Sequence, residues 1–129
     1  MTIIKSLASI HIINLSIEVI NGCNEWERTC KQKLILNITI EFDQKAAVAS
    51  DSIKETLDYR AIKNRIIDEV SSTSYFLLET LTDRVLQIVM EYPLVIGATV
   101  RIDKPHALTH AESVSIEMNA KREDLKTPR

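Results

Sequence analysis

Apolar and polar residues alternate along two early stretches of the chain. Ile13, Leu15, Ile17 and Val19 are set against Asn14, Ser16 and Glu18, and Leu34, Leu36, Ile38, Ile40 and Phe42 against Asn37, Thr39 and Glu41. A period of two sends successive side chains to opposite faces, so both stretches predict strands with one dry face. Gly22 to Lys31 form the connection between them, and Gly22, lacking a Cβ, is free to take a positive φ. Asp51, Ser52 and Glu55 then supply polar capping chemistry ahead of Leu57.

The period changes after Asp58. Ile62, Ile66, Ile67 and Val70 recur at helical spacing between Tyr59 and about Ser71, with Asp58 as the N-cap. A second helical stripe, Leu78, Leu81, Val85, Ile88 and Val89, ends before Pro93, which lacks an N–H and clashes with the preceding turn. Val100 and Ile102, then Val114, Ile116 and Met118, return to strand alternation. The order strand, strand, helix, helix, strand, strand predicts an α+β fold: a four-stranded antiparallel sheet with two helices on one face. Residues 121–129 read as a frayed tail. Such a sheet leaves open edges, and oligomerisation through them is one way to protect them.

Composition narrows the class. A chain of 129 residues suits one domain, spanning 1–129 with its core over about 12–122. Its 45% hydrophobic and 26% charged content and net charge of −2 describe a soluble globular protein without the basic excess that nucleic-acid binding requires. No stretch is long enough to span a bilayer. Lys5, His11, Asn14 and Glu18 interrupt the apolar N-terminal region, which argues against a signal peptide. Cys23 and Cys30 belong to no zinc or redox motif, so reduced thiols in a cytoplasmic protein are expected. His106 and His110 fall in a turn between strands and His11 stands apart, so no metal site is expected.

One run carries chemistry. Lys104 leaves an alternating strand directly into Pro105, His106, Ala107 and Leu108. Together with Leu77-Leu78-Glu79-Thr80-Leu81, Leu57-Asp58-Tyr59-Arg60 and Trp26-Glu27-Arg28-Thr29, this run resembles the dihydroneopterin aldolase family, including its branch that epimerises dihydroneopterin triphosphate. The resemblance covers roughly residues 12 to 122 in order. It implies the tunnelling fold, in which several sheets close into a tetrameric or octameric ring with active sites between subunits.

The resemblance also implies roles. Glu79 anchors the pterin, since a carboxylate can accept two parallel hydrogen bonds from a guanidine-like edge; Leu78 lies beside it. Lys104 is the base for the 2'-hydroxyl, and Tyr59 joins proton transfer from the neighbouring subunit. Glu27 contacts the hydroxyls of the substrate's side chain. An ordinary lysine, with a pKa near ~10.4, is protonated at neutral pH, so the base role asks for desolvation or a neighbouring positive charge. No cofactor is chemically required, because the ring imine itself accepts the electrons of the breaking bond. Arg60 is a candidate phosphate contact, because two glycines cannot build a phosphate cradle. His106 could line the site, and Trp26 reads as packing.

Two departures bear on the branch. The connection Asn21-Gly22-Cys23-Asn24-Glu25 keeps one glycine but lacks the second glycine and histidine seen in many aldolases. Asp58-Tyr59-Arg60, Leu81-Thr82 and His106-Ala107-Leu108 look more like the epimerase branch. The expected function is therefore 2'-epimerisation toward a monapterin. The alternatives are an aldolase releasing 6-hydroxymethyl-dihydropterin and glycolaldehyde for folate synthesis, and a non-catalytic pterin-binding or assembly module. A zinc-dependent enzyme of the same fold is disfavoured by the histidine and cysteine spacing.

Overall fold

The structure, a computed structural model, describes residues 2–3 and 5–123. In chain order it has β1 (Ala8–Asn21), α1 (Glu25–Thr29), β2 (Gln32–Phe42), α2 (Lys45–Ser50), a 3-10 turn at Ile53–Glu55, α3 (Tyr59–Ser71), β3 (Ser74–Tyr75), α4 (Leu78–Met90), β4 (Val95–Pro105) and β5 (Ser113–Lys121). The sheet order is β3-β1-β2-β4-β5. The four long strands pair antiparallel, and β3 pairs parallel with β1 through Ile20–Ser74 and Asn21–Tyr75.

The α+β class holds, but the described residues contain five strands and four α-helices instead of four strands and two helices. The extra elements are short for a physical reason. Two residues of β3 cannot display a period, and five residues of α1 or six of α2 cannot display a helical stripe.

Alternation placed Leu15, Ile17 and Val19 on the dry face of β1 correctly but misplaced Ile13. Asn14 adopts φ 54°, and the register with β2 shifts between Ile12 and Leu15. This bulge changes the phase, so Ile10 and Ile12 pack against the core before it and Leu15, Ile17 and Val19 after it, while Ile13 is 73% exposed. Asparagine tolerates the left-handed region because its side chain bonds locally. Here the Asn14 N–H donates to Asn37 Oδ1 at 2.9 Å, and Asn37 Nδ2 donates to Asn14 Oδ1 at 3.2 Å.

Helices α3 and α4 cover the apolar face. Ile62, Ile66 and Val70 of α3 and Leu81, Val85, Ile88 and Val89 of α4 are fully buried in one cluster with Val19, Leu34, Leu36, Ile40, Val100 and Ile102. Each such aliphatic side chain contributes about 1.5–3 kcal/mol by leaving water. Asp58 caps α3 as expected, its Oδ1 accepting the Ala61 N–H at 3.0 Å. The expected frayed tail does not include Lys121 and Arg122. Lys121 ends β5, and Arg122 donates to the carbonyls of Met90, Val95 and Tyr92. Residues 124–129 lie outside the described residues.

Candidate functional site

Three chain segments meet at one end of the sheet: the last residues of β1, the first of β2 and the last of β4. Lys104 sits in the penultimate rung, paired with Val114, one residue before the strand ends at Pro105. Its Nζ lies 2.5 Å from Glu27 Oε2 and 3.5 Å from the Asn21 carbonyl. The two side chains come from positions 77 apart in sequence, and both are largely buried, with Lys104 15% and Glu27 8% exposed.

Helix α1, which the sequence hid inside a connection, brings Glu27 to this place. Asn24 N–H donates to Glu27 Oε1 at 3.3 Å, and Gln32 Nε2 donates to Glu27 Oε2 at 3.3 Å and to the Asn21 carbonyl at 2.8 Å. The Lys104 hydrogen bond holds the Glu27 carboxyl below its ordinary range; burial opposes this, and the Asn24 N–H and Gln32 amide assist it. Gly22 has φ 128°, as its position suggested, and a Cβ there would fall 2.3 Å from Glu27 Cδ. The carboxylate occupies the space that a side chain at residue 22 would need.

The sequence reading asked for desolvation or a neighbouring positive charge at Lys104. The structure largely buries the lysine but sets a carboxylate, not a cation, beside it. Beside the pair opens a groove of about 630 Å³, lined by Trp26, Lys33, Ile35, Pro105, His106 and Ala107 among others. Trp26 is 60% exposed, so it faces this groove and does not serve the packing role expected of it. His106 takes a left-handed turn conformation at φ 59°. Among the described residues no three histidine, cysteine or carboxylate side chains converge as metal ligands.

Glu79 lies in the first turn of α4 and is exposed, while Leu78 beside it is buried. That helix begins three residues after β3, which flanks Asn21, so Glu79 belongs to the same end of the sheet as Lys104. Arg28 ties α1 to β3 and to the segment leading into α4: its guanidinium donates to the Tyr75 carbonyl at 2.9 Å and stacks 3.9 Å over the Phe76 ring.

Tyr59 and Arg60 are not in this constellation. They line a shallow pocket with Ile12 and Lys63 near the start of β1, and Tyr59 is 55% exposed. From Ile12 to Asn21 the strand runs roughly 30 Å, beyond the reach of any side chain. Of the six arginines among the described residues, Arg28, Arg65, Arg84, Arg101 and Arg122 each hold a carbonyl or carboxylate of this chain. Arg60 alone holds none.

The profile of the FolB dihydroneopterin aldolase family matches residues 10–119. The chain belongs to this family. Among relatives, the dihydroneopterin triphosphate 2'-epimerase of Pseudomonas aeruginosa is 40% identical over 116 residues, covering 90% of this chain and 94% of its own. The epimerase of Escherichia coli K12 is 38% identical over 115 residues, covering 89% and 96%. The dihydroneopterin aldolase of Haemophilus influenzae is more distant, 28% identical over 95 residues, covering 74% and 80%. The crystal structure of E. coli dihydroneopterin aldolase in complex with neopterin superposes with a TM-score of 0.83 at 24% identity, over 88% of this chain and 99% of that one. At that identity the likeness speaks for the fold.

What sequence reasoning missed is the support for Glu27. Gln32 opens a strand, where a polar residue reads as solvent-facing, and Asn21 closes one. The signal available was Gly22, whose permitted φ marks a sharp turn that could admit a side chain from α1.

Proposed function

We propose that this protein is a dihydroneopterin triphosphate 2'-epimerase, working without a cofactor in a cytoplasmic homo-oligomeric ring of the tunnelling fold, a tetramer or octamer. The observation that carries the reading is the gap between 40% identity to a named epimerase over nearly its whole length and 28% to an aldolase over 80% of its length.

The chemistry follows from the substrate. Lys104, once it has left its ion pair with Glu27 and given its own proton to solvent, takes the 2'-hydroxyl proton as a neutral amine; the C2' carbonyl forms, the C1'–C2' bond breaks, and its electron pair moves through C6 to the ring N5. Glu79 anchors the pterin edge against Leu78, and Glu27 orients the side-chain hydroxyls. Tyr59, too far from Lys104 of its own chain, serves proton transfer in a neighbouring subunit. The aldehyde fragment then either leaves and C1' takes a proton as the electron pair returns from N5, which is aldolase chemistry, or turns its other face and is attacked by C1', which inverts C2'.

On the triphosphate substrate, the fragment that would leave is the one carrying the phosphates. A contact to those phosphates therefore retains the fragment and favours re-addition. Arg60, without a carbonyl or carboxylate partner among the described residues and adjacent to Tyr59, suits that role, since a guanidinium offers a fixed fork of donors to phosphate oxygens. Chromatography of products from both substrates tests the proposal. The 2'-epimer from the triphosphate is the expected main product, turned over faster than free dihydroneopterin. Hydroxymethyl-dihydropterin and glycolaldehyde as the dominant outcome, without triphosphate preference, would assign the aldolase activity instead. For Arg60→Ala we expect triphosphate turnover to fall about tenfold or more, with a raised ratio of cleavage to epimerisation and free dihydroneopterin little affected.

A further inference from the structure

The amide of Gln32 and the ammonium of Lys104 donate to the same two acceptors. Lys104 Nζ is 2.5 Å from Glu27 Oε2 and 3.5 Å from the Asn21 carbonyl; Gln32 Nε2 is 3.3 Å from the first and 2.8 Å from the second. A buried carboxylate stripped of its cation is strongly disfavoured unless another donor stays with it.

We propose that Gln32 is a positioning residue whose amide keeps Glu27 and the Asn21 carbonyl satisfied while Lys104 turns to the substrate, so that the lysine can leave its ion pair. The inference rests on the reading of Lys104 as the base. Lys104 accepts the 2'-hydroxyl proton as the C1'–C2' bond breaks and returns it as the bond re-forms. In both directions its nitrogen must face the substrate. A carboxamide does not ionise, so its donor is present whichever protonation state the lysine holds. Glu27 Oε1 keeps the Asn24 N–H throughout, and the carboxylate lies close against Gly22. The other titratable side chains lining the groove are Lys33 and His106. Asp103 is engaged elsewhere, by Arg101 and Ser113.

Gln32→Leu keeps the bulk and removes the donor. The expected result is a kcat lower by about tenfold or more, with pterin product affinity within about twofold of wild type. A second readout needs no turnover: acylation of Lys104 by an amine-reactive ester, followed by mass spectrometry, slows about fivefold or more as the lysine is held in its pair. In a Glu27→Gln background, where no ion pair remains to hold the lysine, the same substitution leaves labelling unchanged. Unchanged labelling in the Gln32→Leu protein overturns the proposal whatever happens to turnover, as does an equal slowing in the Glu27→Gln background. If the wild type turns over neither pterin, the functional reading falls, and the labelling comparison still decides the part played by Gln32.

Discussion

At the scale of single residues, the ion pair between Glu27 and Lys104 sets what can be measured. Glu27 titrates below its ordinary 4.5, mainly because Lys104 donates to it. A carboxyl depressed in the folded state contributes stability that is fully present above the unfolded value and lost as pH falls through the folded one. The stability gap between wild type and Glu27→Gln is therefore expected to be constant at neutral pH and to shrink as the pH falls below the ordinary 4.5. Urea midpoints across that range check it, and a gap independent of pH would remove the pair from the stability of the fold. Gly22→Ala is a sharper probe. It strains a residue at φ 128° and drives a methyl group into the Glu27 carboxylate, so it should cost about 1–3 kcal/mol and most of the turnover. Sequence named Glu27 and Lys104 as site candidates through the family resemblance, and the structure brings the two side chains together. Sequence could not show that they touch, because a contact across 77 residues depends on how two strand ends meet. Gln32 and Asn21 stayed invisible for the same reason: their importance lies in whom they face, and neither type is unusual at a strand end.

At the scale of elements, long periodic segments were readable and short ones were not. Helix α4 declared itself by a stripe whose members Leu81, Val85 and Ile88 are fully buried, and Leu81→Ala or Ile88→Ala should cost about 2–5 kcal/mol. The bulge at Asn14 took Ile13 off the dry face that alternation gave it, because a pattern of period two carries no sign of an inserted residue until the partner strand is in place. Helix α1 matters more to the site than its five residues suggest. It holds Glu27 at one end of the sheet, and Arg28 fastens it to Tyr75 and Phe76 just before α4. Truncating that tether uncouples the helix bearing Glu27 from the helix bearing Glu79 without touching either carboxylate. Arg28→Ala is expected to lower turnover several-fold while melting only a few degrees below wild type. A loss of turnover fully explained by unfolding at the assay temperature would show that Arg28 only stabilises the protein.

At the scale of the whole molecule, geometry separates the proposed participants into two groups that one chain cannot unite. Lys104 and Glu27 sit where β1 ends, and Tyr59 and Arg60 sit beside its first half, roughly 30 Å away along the strand. A helix-start tyrosine that is 55% exposed, next to an arginine without a partner among the described residues, is poised for something outside its own fold. Exposed Ile13, Phe76, Leu77 and Leu108 add apolar surface that a second copy could cover. If one site takes Lys104 from one chain and Tyr59 from another, two differently crippled proteins can repair each other. The Tyr59→Phe and Lys104→Ala proteins, each by itself, are expected to have little activity. Dissociated and reassembled together, they should regain a substantial fraction of wild-type turnover, because some interfaces then join an intact Tyr59 to an intact Lys104. Native mass spectrometry identifies the mixed assemblies. Inactivity in assemblies shown to be mixed would mean that each site is complete within one chain, and Tyr59 would lose its place in the mechanism.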